Sequence, residues 1–432
     1  MNFKKLRWWF LFIIILVVAV RAIFFFVVVP YNPVAQSRDI YLEIARNVVA
    51  GQGFSGGEKV EPTATRGPIP VYFFALVLWL FGDHTLSIAL ANWIVEAVTC
   101  LLLYLIAFDL FHSKPIAVIT SLLFAFYGPG MNYSWQALSE PLFTMLLAAF
   151  VLGFLQALHS PSTLRFVIAG ILLGLASLTR PIIQYYLLIA IAVLVWILYT
   201  HRWTIIKWAI ALTASFIIMM TPWTIRNYLL FGEFIPVSSL FGLPFYQSNH
   251  ALSEPDFLRP RSSEEARESL NRLLQLRFGP AYEELTQPQY DRAAKEEAIK
   301  IIKQYPGRYL VLSTVRFFRL WYFVYGASVH GTSSPIVSYL VLIQHGLLFL
   351  LAAIAWFYYR DKWWQRSVPL FTLLLYYVAG YTVIHVDVRF IVPVMPYVML
   401  FAAVTITSFL LHLGPIWPDK VTTNPLHIGF FI

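Results

Sequence analysis

Residues 37–70, SRDIYLEIARNVVAGQGFSGGEKVEPTATRGPIP, form a polar stretch between two strongly apolar segments. The first part has the pattern of a short amphipathic helix that Ser37 can cap and Gly51 can end. Asp39 would stand in its first turn, where the helix dipole favours an ionised carboxylate. Such a carboxylate at a membrane edge is a candidate general base, and the alternative is a solvated residue that only caps the helix. The apolar face suits a helix that lies on a membrane surface, and its residues are Ile40, Ile44 and Val48.

On both sides of this stretch the composition is that of a membrane protein. The 432 residues are 59% hydrophobic and only 12% charged. Apolar runs of about 17–25 residues recur along the chain and predict an all-α polytopic membrane protein. The net charge of +9 is interpreted as a topology signal rather than as a sign of nucleic-acid binding. Cys100 is the only cysteine, which excludes a disulfide framework and a thiolate metal site.

Ten apolar segments are predicted to cross the membrane, with both termini in the cytoplasm. Lys4, Lys5 and Arg7 precede the first segment, and the inner loops, such as Arg360–Arg366, are basic with almost no acid. The run Ile69–Phe81 is too short to cross comfortably and is predicted to be a re-entrant or surface helix. The ten segments are approximately 8–30, 84–111, 115–128, 141–158, a fifth that ends near 177, a sixth that ends near 201, 204–220, 335–358, 367–385 and 390–411.

This topology divides the chain into three parts. In the outer part, capping boxes that pair Ser262 with Glu265 and Thr286 with Gln289 predict two solvated helices. A third helix, at about 307–326, is amphipathic and is predicted to lie flat on the membrane. The three parts are an N-terminal transmembrane bundle (1–223) with a candidate catalytic first outer loop (31–83), an outer helical segment (224–334), and the C-terminal transmembrane helices with a cytoplasmic tail (335–432).

Ionisable side chains collect near the outer ends of the predicted spans. Each is costly at membrane depth unless it is paired or functional, although any one of them can also be a snorkelling anchor or a helix cap. The arginines favour a phosphate-bearing lipid, because a guanidinium pairs with phosphate oxygens through two parallel hydrogen bonds. The candidate phosphate ligands are Arg66, Arg226, Arg389 and Arg180, and the candidate substrate contacts beside them are Glu140, His385 and Asp387.

Seven motifs follow one another along the chain: DIYLEIARNVVAGQGF (39–54), TRGPIPVYFFALVLWLFG (65–82), SEPLF (139–143), SLTRP (177–181), TPWTIRNY (221–228), PVSSLFGLPFYQSN (236–249) and DVRFIVPVMPY (387–397). In order and spacing they resemble the integral-membrane glycosyltransferases of the GT-C superfamily. The branch is that of protein O-mannosyltransferases, aminoarabinose transferases and the lipopolysaccharide-core transferases of rhizobia. The resemblance covers roughly residues 21–399 and is strongest in the first half of the chain.

The resemblance implies a GT-C helical bundle whose first outer loop supplies a catalytic aspartate, here Asp39. The donor would be a sugar on a polyprenyl or dolichyl phosphate, used with inversion, and the acceptor a hydroxyl of a glycan, lipid or protein. The base takes the acceptor proton while the lipid phosphate leaves and cations stabilise its charge. The expected location is the plasma membrane, with the active site facing outward among membrane lipids and with no nucleic-acid partner.

One departure concerns the acidic residues. Several relatives carry an acidic pair where this chain has Arg38 before Asp39, so neither a second carboxylate at that spot nor a metal or other cofactor is indicated. Glu43, Glu58 or Glu61 could stand near the base and contact the substrate. In the stretch that resembles the family's outer loop, two further residues could contact the sugar, and these are Tyr246 and Asn249.

Two other functions fit part of the pattern. A transporter or flippase would bind an anionic lipid without chemistry, but the inverted or parallel halves with broken helices that mark such proteins are not visible in the sequence. A ligase or polymerase that joins whole glycans would use a large outer loop with arginine and histidine, which the outer segment provides. Transfer of a single sugar is the favoured interpretation.

The predicted topology places Ser263 and Gln365 on opposite sides of the membrane. Cysteines introduced at these two positions should therefore react with a membrane-impermeant maleimide from opposite faces of sealed vesicles. A parent protein in which Cys100 is replaced serves as the unlabelled control. Labelling of both positions from the same side would contradict this topology.

Overall fold

A computed structural model of the protein describes residues 3–28, 40–57, 60–259, 261–321 and 335–410. Helices dominate these ranges, so the predicted all-α fold is confirmed. Asp39, together with Ser37, Arg38 and Glu58, lies outside the described residues.

The described ranges contain the helices α1 Phe3–Val28, α2 Ile40–Val49, α3 Pro68–Phe81, α4 Thr85–Phe111, α5 Lys114–Ala125, α6 Gly128–Tyr133, α7 Glu140–His159, α8 Thr163–Thr179, α9 Tyr186–Ile197, α10 Arg202–Phe231, α11 Gly242–Asn249, α12 Ser263–Phe278, α13 Gln287–Gln304, α14 Pro306–Trp321, α15 Pro335–Tyr359, α16 Trp364–Ile384 and α17 Met395–Leu410. Two short strands, β1 Ser55–Gly56 and β2 Glu61–Pro62, pair antiparallel as a hairpin.

Helices occupy all ten segments that were predicted to cross the membrane, and α3 occupies the short run that was not. Within the described part of the chain, five helices are long and apolar enough to span a bilayer by themselves, namely α4, α7, α16 and the greater parts of α10 and α15. Shorter apolar helices accompany them, including α5, α8, α9 and α17. The chain is a multi-pass membrane protein.

A close approach of α8 and α10 is the tightest contact in the bundle. Gly170 and Gly174 lie one turn apart on α8 and face α10. A Cβ atom at Gly170 would stand 2.3 Å from the carbonyl oxygen of Leu212, and one at Gly174 would stand 2.7 Å from Met219 Cβ. Small residues four apart let two helix backbones pack directly, which is a common way to associate helices in a membrane.

An internal ion pair ties α1 to its neighbours. Arg21 is completely buried, and its Nε donates to the Glu96 carboxylate of α4 at 2.6 Å. Its Nη1 and Nη2 donate to the carbonyl oxygens of Ala125 and Phe124 at the end of α5. A charge at this depth is tolerated only when it is paired. Arg21 therefore has a structural role, and sequence reasoning did not single out its partner Glu96.

Helix α10 is longer than predicted, because it continues past Met220 and includes Pro222. Proline removes one backbone donor, and hydroxyl groups next to it bond to the helix backbone instead. Thr221 donates to the carbonyl oxygen of Ile217 at 2.7 Å, and Thr224 donates to that of Met220 at 3.0 Å. The helix therefore carries its last two turns towards the outer segment.

The outer segment has a small core of its own, built by α11, α12 and α13 around buried residues such as Tyr246 and Leu270. Both predicted capping boxes are present, at the starts of α12 and α13. Asp291 of α13 accepts hydrogen bonds from the backbone N–H groups of Phe241, Gly242 and Leu243, and so caps α11. Local capping and a shared core thus hold this segment together.

Candidate active site

Three segments that are distant in sequence meet at Glu140, the first residue of α7. Its carboxylate is 2% exposed and lies 3.1 Å from Arg180 Nη1, which follows α8. The same oxygen, Oε1, lies 3.6 Å from Arg389 Nε, in the turn before α17. The start of a helix favours this negative charge. Glu140 therefore balances part of the charge of two arginines.

These ion pairs leave hydrogen-bonding capacity unused. Both carboxylate oxygens of Glu140, Arg180 Nη1 and Arg389 Nε are buried and have no hydrogen-bond partner. Buried polar atoms in proteins normally have hydrogen-bond partners, so four neighbouring buried atoms without one need an explanation. A ligand with negatively charged oxygens would satisfy the two guanidinium groups.

Arg66 stands beside this pair and has no acidic partner among the residues that the structure describes. Its guanidinium packs on the ring of Tyr41, 5.3 Å from the centroid, and donates only to the carbonyl oxygen of Thr65. Tyr41, in the first turn of α2, is also within electrostatic range of Arg180 and Arg389. We call Arg66, Arg180 and Arg389 the arginine cluster.

Gly67 explains how Arg66 reaches the end of α8. A Cβ atom at Gly67 would stand 2.1 Å from the carbonyl oxygen of Leu178, so only glycine permits the contact. The TRGP and SLTRP motifs therefore touch through their backbones, which brings Arg66 next to Arg180. The two motifs are far apart in the sequence, so the sequence alone does not indicate this contact.

Aromatic rings surround the cluster. Arg180 lies over the rings of Phe143 and Phe390, at 5.8 and 5.0 Å from their centroids. Such ring faces hold a cation in place without neutralising it. Sequence reasoning missed these rings and Tyr41, although each stands within a motif that also contains a predicted charged residue.

Asp387 and His385 lie next to the cluster, and their contact with a substrate stays a prediction. Asp387 accepts a hydrogen bond from the backbone N–H of Arg389 at 3.1 Å, and its other oxygen lies 3.4 Å from Arg389 Nε. His385 Nδ1 is hydrogen-bonded to the hydroxyl of Ser248 in the outer segment. The two residues thus join the last transmembrane turn to the outer segment.

The next four predicted residues are either engaged within the protein or exposed. Glu43 accepts a hydrogen bond from the backbone N–H of Gly57 at 2.7 Å, and Glu61 is exposed on β2. Tyr246 is buried in the core of the outer segment, and Asn249 is buried with its Oδ1 accepting from Arg316. Contacts of these four residues with a substrate stay predictions.

Arg226 also has hydrogen-bond partners within the protein. Its Nη1 and Nη2 donate to the carbonyl oxygens of Thr63 and Phe54, at 2.7 and 3.0 Å. It forms no ion pair with a described residue. Its predicted contact with a phosphate also stays a prediction.

An apolar groove runs along the bundle next to the site. It has a volume of about 560 Å³ and lies between α9 and α16, lined among others by Tyr376, Gly380 and Ile384. The hydroxyl of Tyr376 donates to the carbonyl oxygen of Ile182, two residues after Arg180. Since Ile384 directly precedes His385, the outer end of the groove lies at the segments that carry the candidate site.

No group of three or more histidine, cysteine, aspartate or glutamate side chains that could hold a metal occurs in the described ranges. The site is instead rich in guanidinium groups, which suit an anion rather than a cation.

Comparisons with known proteins identify the architecture. Two structures of the oligosaccharyltransferase of Archaeoglobus fulgidus align with TM-scores of 0.53 and 0.54. One is AglB in complex with an inhibitory peptide and a dolichol-phosphate, and the other is tethered to an acceptor peptide containing the NVT sequon. They are 16% and 15% identical to this chain, covering 95% and 94% of it, but only 51% and 50% of their own lengths.

Sequence comparison also finds similarity to glycosyltransferases. Residues 65–225 match the family described as dolichyl-phosphate-mannose-protein mannosyltransferase. The undecaprenyl phosphate-alpha-4-amino-4-deoxy-L-arabinose arabinosyl transferase of Erwinia tasmaniensis is 24% identical over 225 residues. The fold is that of the GT-C glycosyltransferases. The aligned part is 50% of this chain and 36% of the Erwinia enzyme, so the chain spans a minority of that relative.

His385 makes the stability of this protein depend on pH. Burial lowers the pKa of His385 to about 4, and Arg316 and Arg389 act in the same direction, whereas Asp387 opposes them. The unfolded chain takes up a proton near the ordinary pKa of about 6.5, and the folded chain resists it. Stability is therefore full above about pH 6.5 and is lost as the pH falls towards the folded value.

We expect His385→Gln to reduce the loss of thermal stability between about pH 7 and pH 5, measured by the unfolding temperature in detergent. His112→Gln is the matched control, because His112 is exposed at the end of α4. Equal pH dependence in wild type and His385→Gln would contradict this assignment.

Proposed function

We propose that this protein is a membrane glycosyltransferase that moves a sugar from a polyprenyl-phosphate donor to a hydroxyl group of an acceptor at the outer face of the membrane. The observation that carries the proposal is the arginine cluster. Its three guanidinium groups are opposed, among the described residues, by two carboxylates, Glu140 and Asp387. A lipid phosphate supplies the negative charge and the hydrogen-bond acceptors that the cluster lacks.

The three arginines of the cluster would each contact the donor phosphate in a different way. Arg180 is buried and paired, so it would hold one phosphate oxygen while keeping its contact with Glu140. Arg389 is 37% exposed and Arg66 is partly exposed, so both can be reached from outside. A phosphate between the three arginines would neutralise the cluster. When the sugar leaves, the lipid phosphate gains a further negative charge, which the same guanidinium groups stabilise.

Asp39 is the proposed general base. In the reaction, the bond between the anomeric carbon and the phosphate oxygen breaks while the acceptor oxygen bonds to the same carbon from the opposite side. This single displacement inverts the configuration, and Asp39 takes the acceptor proton. Asp39 stands two residues before Tyr41 in the chain, and the ring of Tyr41 supports Arg66. That short connection supports a base next to the phosphate site.

The apolar groove between α9 and α16 would hold the isoprenoid chain of the donor. Its lining is almost entirely hydrocarbon, and it leads to the segments that carry Arg180 and His385. A lipid in the groove therefore presents its phosphate to the arginine cluster. The likeness to a dolichol-phosphate complex and to an undecaprenyl-phosphate-dependent enzyme is consistent with such a donor.

A panel of radiolabelled carriers tests the function against its alternatives. Purified protein in vesicles is offered polyprenyl-phosphate monosaccharides and a polyprenyl-linked oligosaccharide. Label that leaves a monosaccharide carrier supports the proposal. Transfer from the oligosaccharide carrier alone indicates a glycan ligase, and movement of carriers across the vesicle without transfer indicates a flippase.

Asp39→Asn should lower the turnover number by at least about a hundredfold, because the amide cannot accept the acceptor proton. Binding of the donor should persist, since the arginine cluster is unchanged. The matched control is Asp361→Asn, whose carboxylate is 93% exposed on the opposite side of the predicted topology. A transfer rate near that of the wild type would remove Asp39 from this role.

Arg66→Lys and Arg389→Lys should each weaken donor binding by a factor of about 5–150, the range for one lost charged hydrogen bond of roughly 1–3 kcal/mol. Lysine keeps the charge but not the planar fork that grips two phosphate oxygens. The measurement is the dissociation constant of a polyprenyl-phosphate sugar. Arg277→Lys is the control, because Arg277 pairs with Glu296 and Glu297 on the outer segment. Wild-type affinity in both cluster variants would place the phosphate elsewhere.

A further inference from the structure

The TPWTIRNY motif at the end of α10 binds backbone carbonyl groups. Trp223 Nε1 donates to the carbonyl oxygen of Val237 at 2.7 Å, and Asn227 Nδ2 donates to that of Ile235 at 2.9 Å. These bonds hold the extended stretch that leads into the outer segment. Side chains of the motif thus hold the segment around Ile235 and Val237, which has no regular secondary structure of its own.

Arg226 extends the same pattern to the first outer loop. Its two terminal nitrogens donate to the carbonyl oxygens of Phe54 and Thr63, at the base of the β1–β2 hairpin. These two residues are themselves joined, because the N–H of Thr63 donates to the Phe54 carbonyl at 3.1 Å. The guanidinium lies against the rings of Phe54 and Trp223, 5.3 and 4.7 Å from their centroids. Arg226 therefore clamps both sides of the hairpin at once.

A second set of bonds holds the loop from the outer segment. Ser238 Oγ donates to the carbonyl oxygen of Thr65, and the N–H of Ser239 donates to that of Ala64, both at 2.8 Å. Arg66 is the next residue in the chain. The position of its side chain in the arginine cluster thus depends on a loop that is held from two directions.

The hairpin is also bonded to α2. Asn47 Nδ2 donates to the carbonyl oxygen of Ser55 at 2.9 Å, and the N–H of Gly57 donates to Glu43 at 2.7 Å. Asp39 directly precedes this helix in the chain. One hairpin therefore connects the arginine at one end of the loop with the helix that follows the proposed base.

We propose that Arg226 is a positioning residue, which fixes the β1–β2 hairpin and thereby sets the place of Arg66 relative to Asp39. The proposal rests on the proposed function, in which Arg66 binds the donor phosphate and Asp39 is the base. Only a planar guanidinium can donate to two carbonyl groups on either side of the hairpin while it stacks on aromatic rings. Lysine at this position keeps the charge but can hold one side only.

Hydrogen exchange read by mass spectrometry tests the clamp in the protein without donor. Arg226→Lys should raise deuterium uptake several-fold in the peptide that covers residues 52–66. Ser238→Ala, which removes the side-chain bond to Thr65 from the second set and leaves every arginine in place, should do the same. Arg66→Lys should leave this uptake unchanged, since its guanidinium donates no hydrogen bond to another described segment.

Turnover is measured on the same variants, and both clamp variants should lose about tenfold. Arg319→Lys is the matched control, because Arg319 also donates to a carbonyl oxygen, that of Leu258, but away from the hairpin. It should keep wild-type exchange in residues 52–66 and wild-type turnover. If Arg226→Lys fails to fold, Ser238→Ala carries the same two measurements.

Two results would overturn the proposal. Unchanged exchange in Arg226→Lys, together with weaker binding of sugar-free polyprenyl phosphate, would make Arg226 a direct phosphate ligand. Raised exchange with full turnover would show that the clamp does not serve the reaction. A wild-type protein that transfers no sugar from any carrier defeats the proposed function, whereas the exchange measurement does not depend on activity.

Discussion

The carboxylate of Glu140 draws together three segments that are far apart in the sequence, since Arg180 and Arg389 both lie against the same oxygen. Moving a carboxylate out of water costs several kcal/mol, and only good partners offset that cost. Here the partners are two guanidinium groups and the start of α7, where the helix dipole favours a negative charge. Because removal of one partner from such a pair leaves a buried charge unopposed, the outer ends of α7, α8 and α17 are held in one arrangement.

The arginines of this protein differ in how completely they are satisfied. Arg21 uses all its donor nitrogens on Glu96 and on two carbonyl groups, and Arg226 bridges the hairpin, so both have structural contacts at each end of the guanidinium. Arg180 and Arg389 instead have buried nitrogens without a hydrogen bond, and Arg66 has no carboxylate nearby in the described ranges. This contrast is the physical basis for assigning the second group to a phosphate. Hydrogen bonding therefore distinguishes Arg226 from Arg66 and Arg389, although the sequence offered all three as phosphate ligands.

The first outer loop and the outer segment depend on each other. The β1–β2 hairpin of the loop has only two residues in each strand, which is too small to be stable alone. It is held by Arg226, by the Ser238–Ser239 stretch and by the side chain of Gln287, which bonds to Thr63 at 2.8 Å. The outer segment therefore gives the loop its shape, whereas its own stability comes from the core of α11, α12 and α13.

The sequence by itself determined the ten apolar helices, the capping boxes of α12 and α13, and the presence of ionisable residues at span ends, because apolar length and capping side chains act locally. Only the tertiary structure decided which charges meet. Gly67 lets Arg66 reach Arg180 by backbone contact, and Arg226 turns to the hairpin, although both stood in the sequence as equal candidates for a phosphate. Contacts between segments a hundred residues apart depend on how helices pack, and helix packing is set by many apolar side chains together rather than by any single motif.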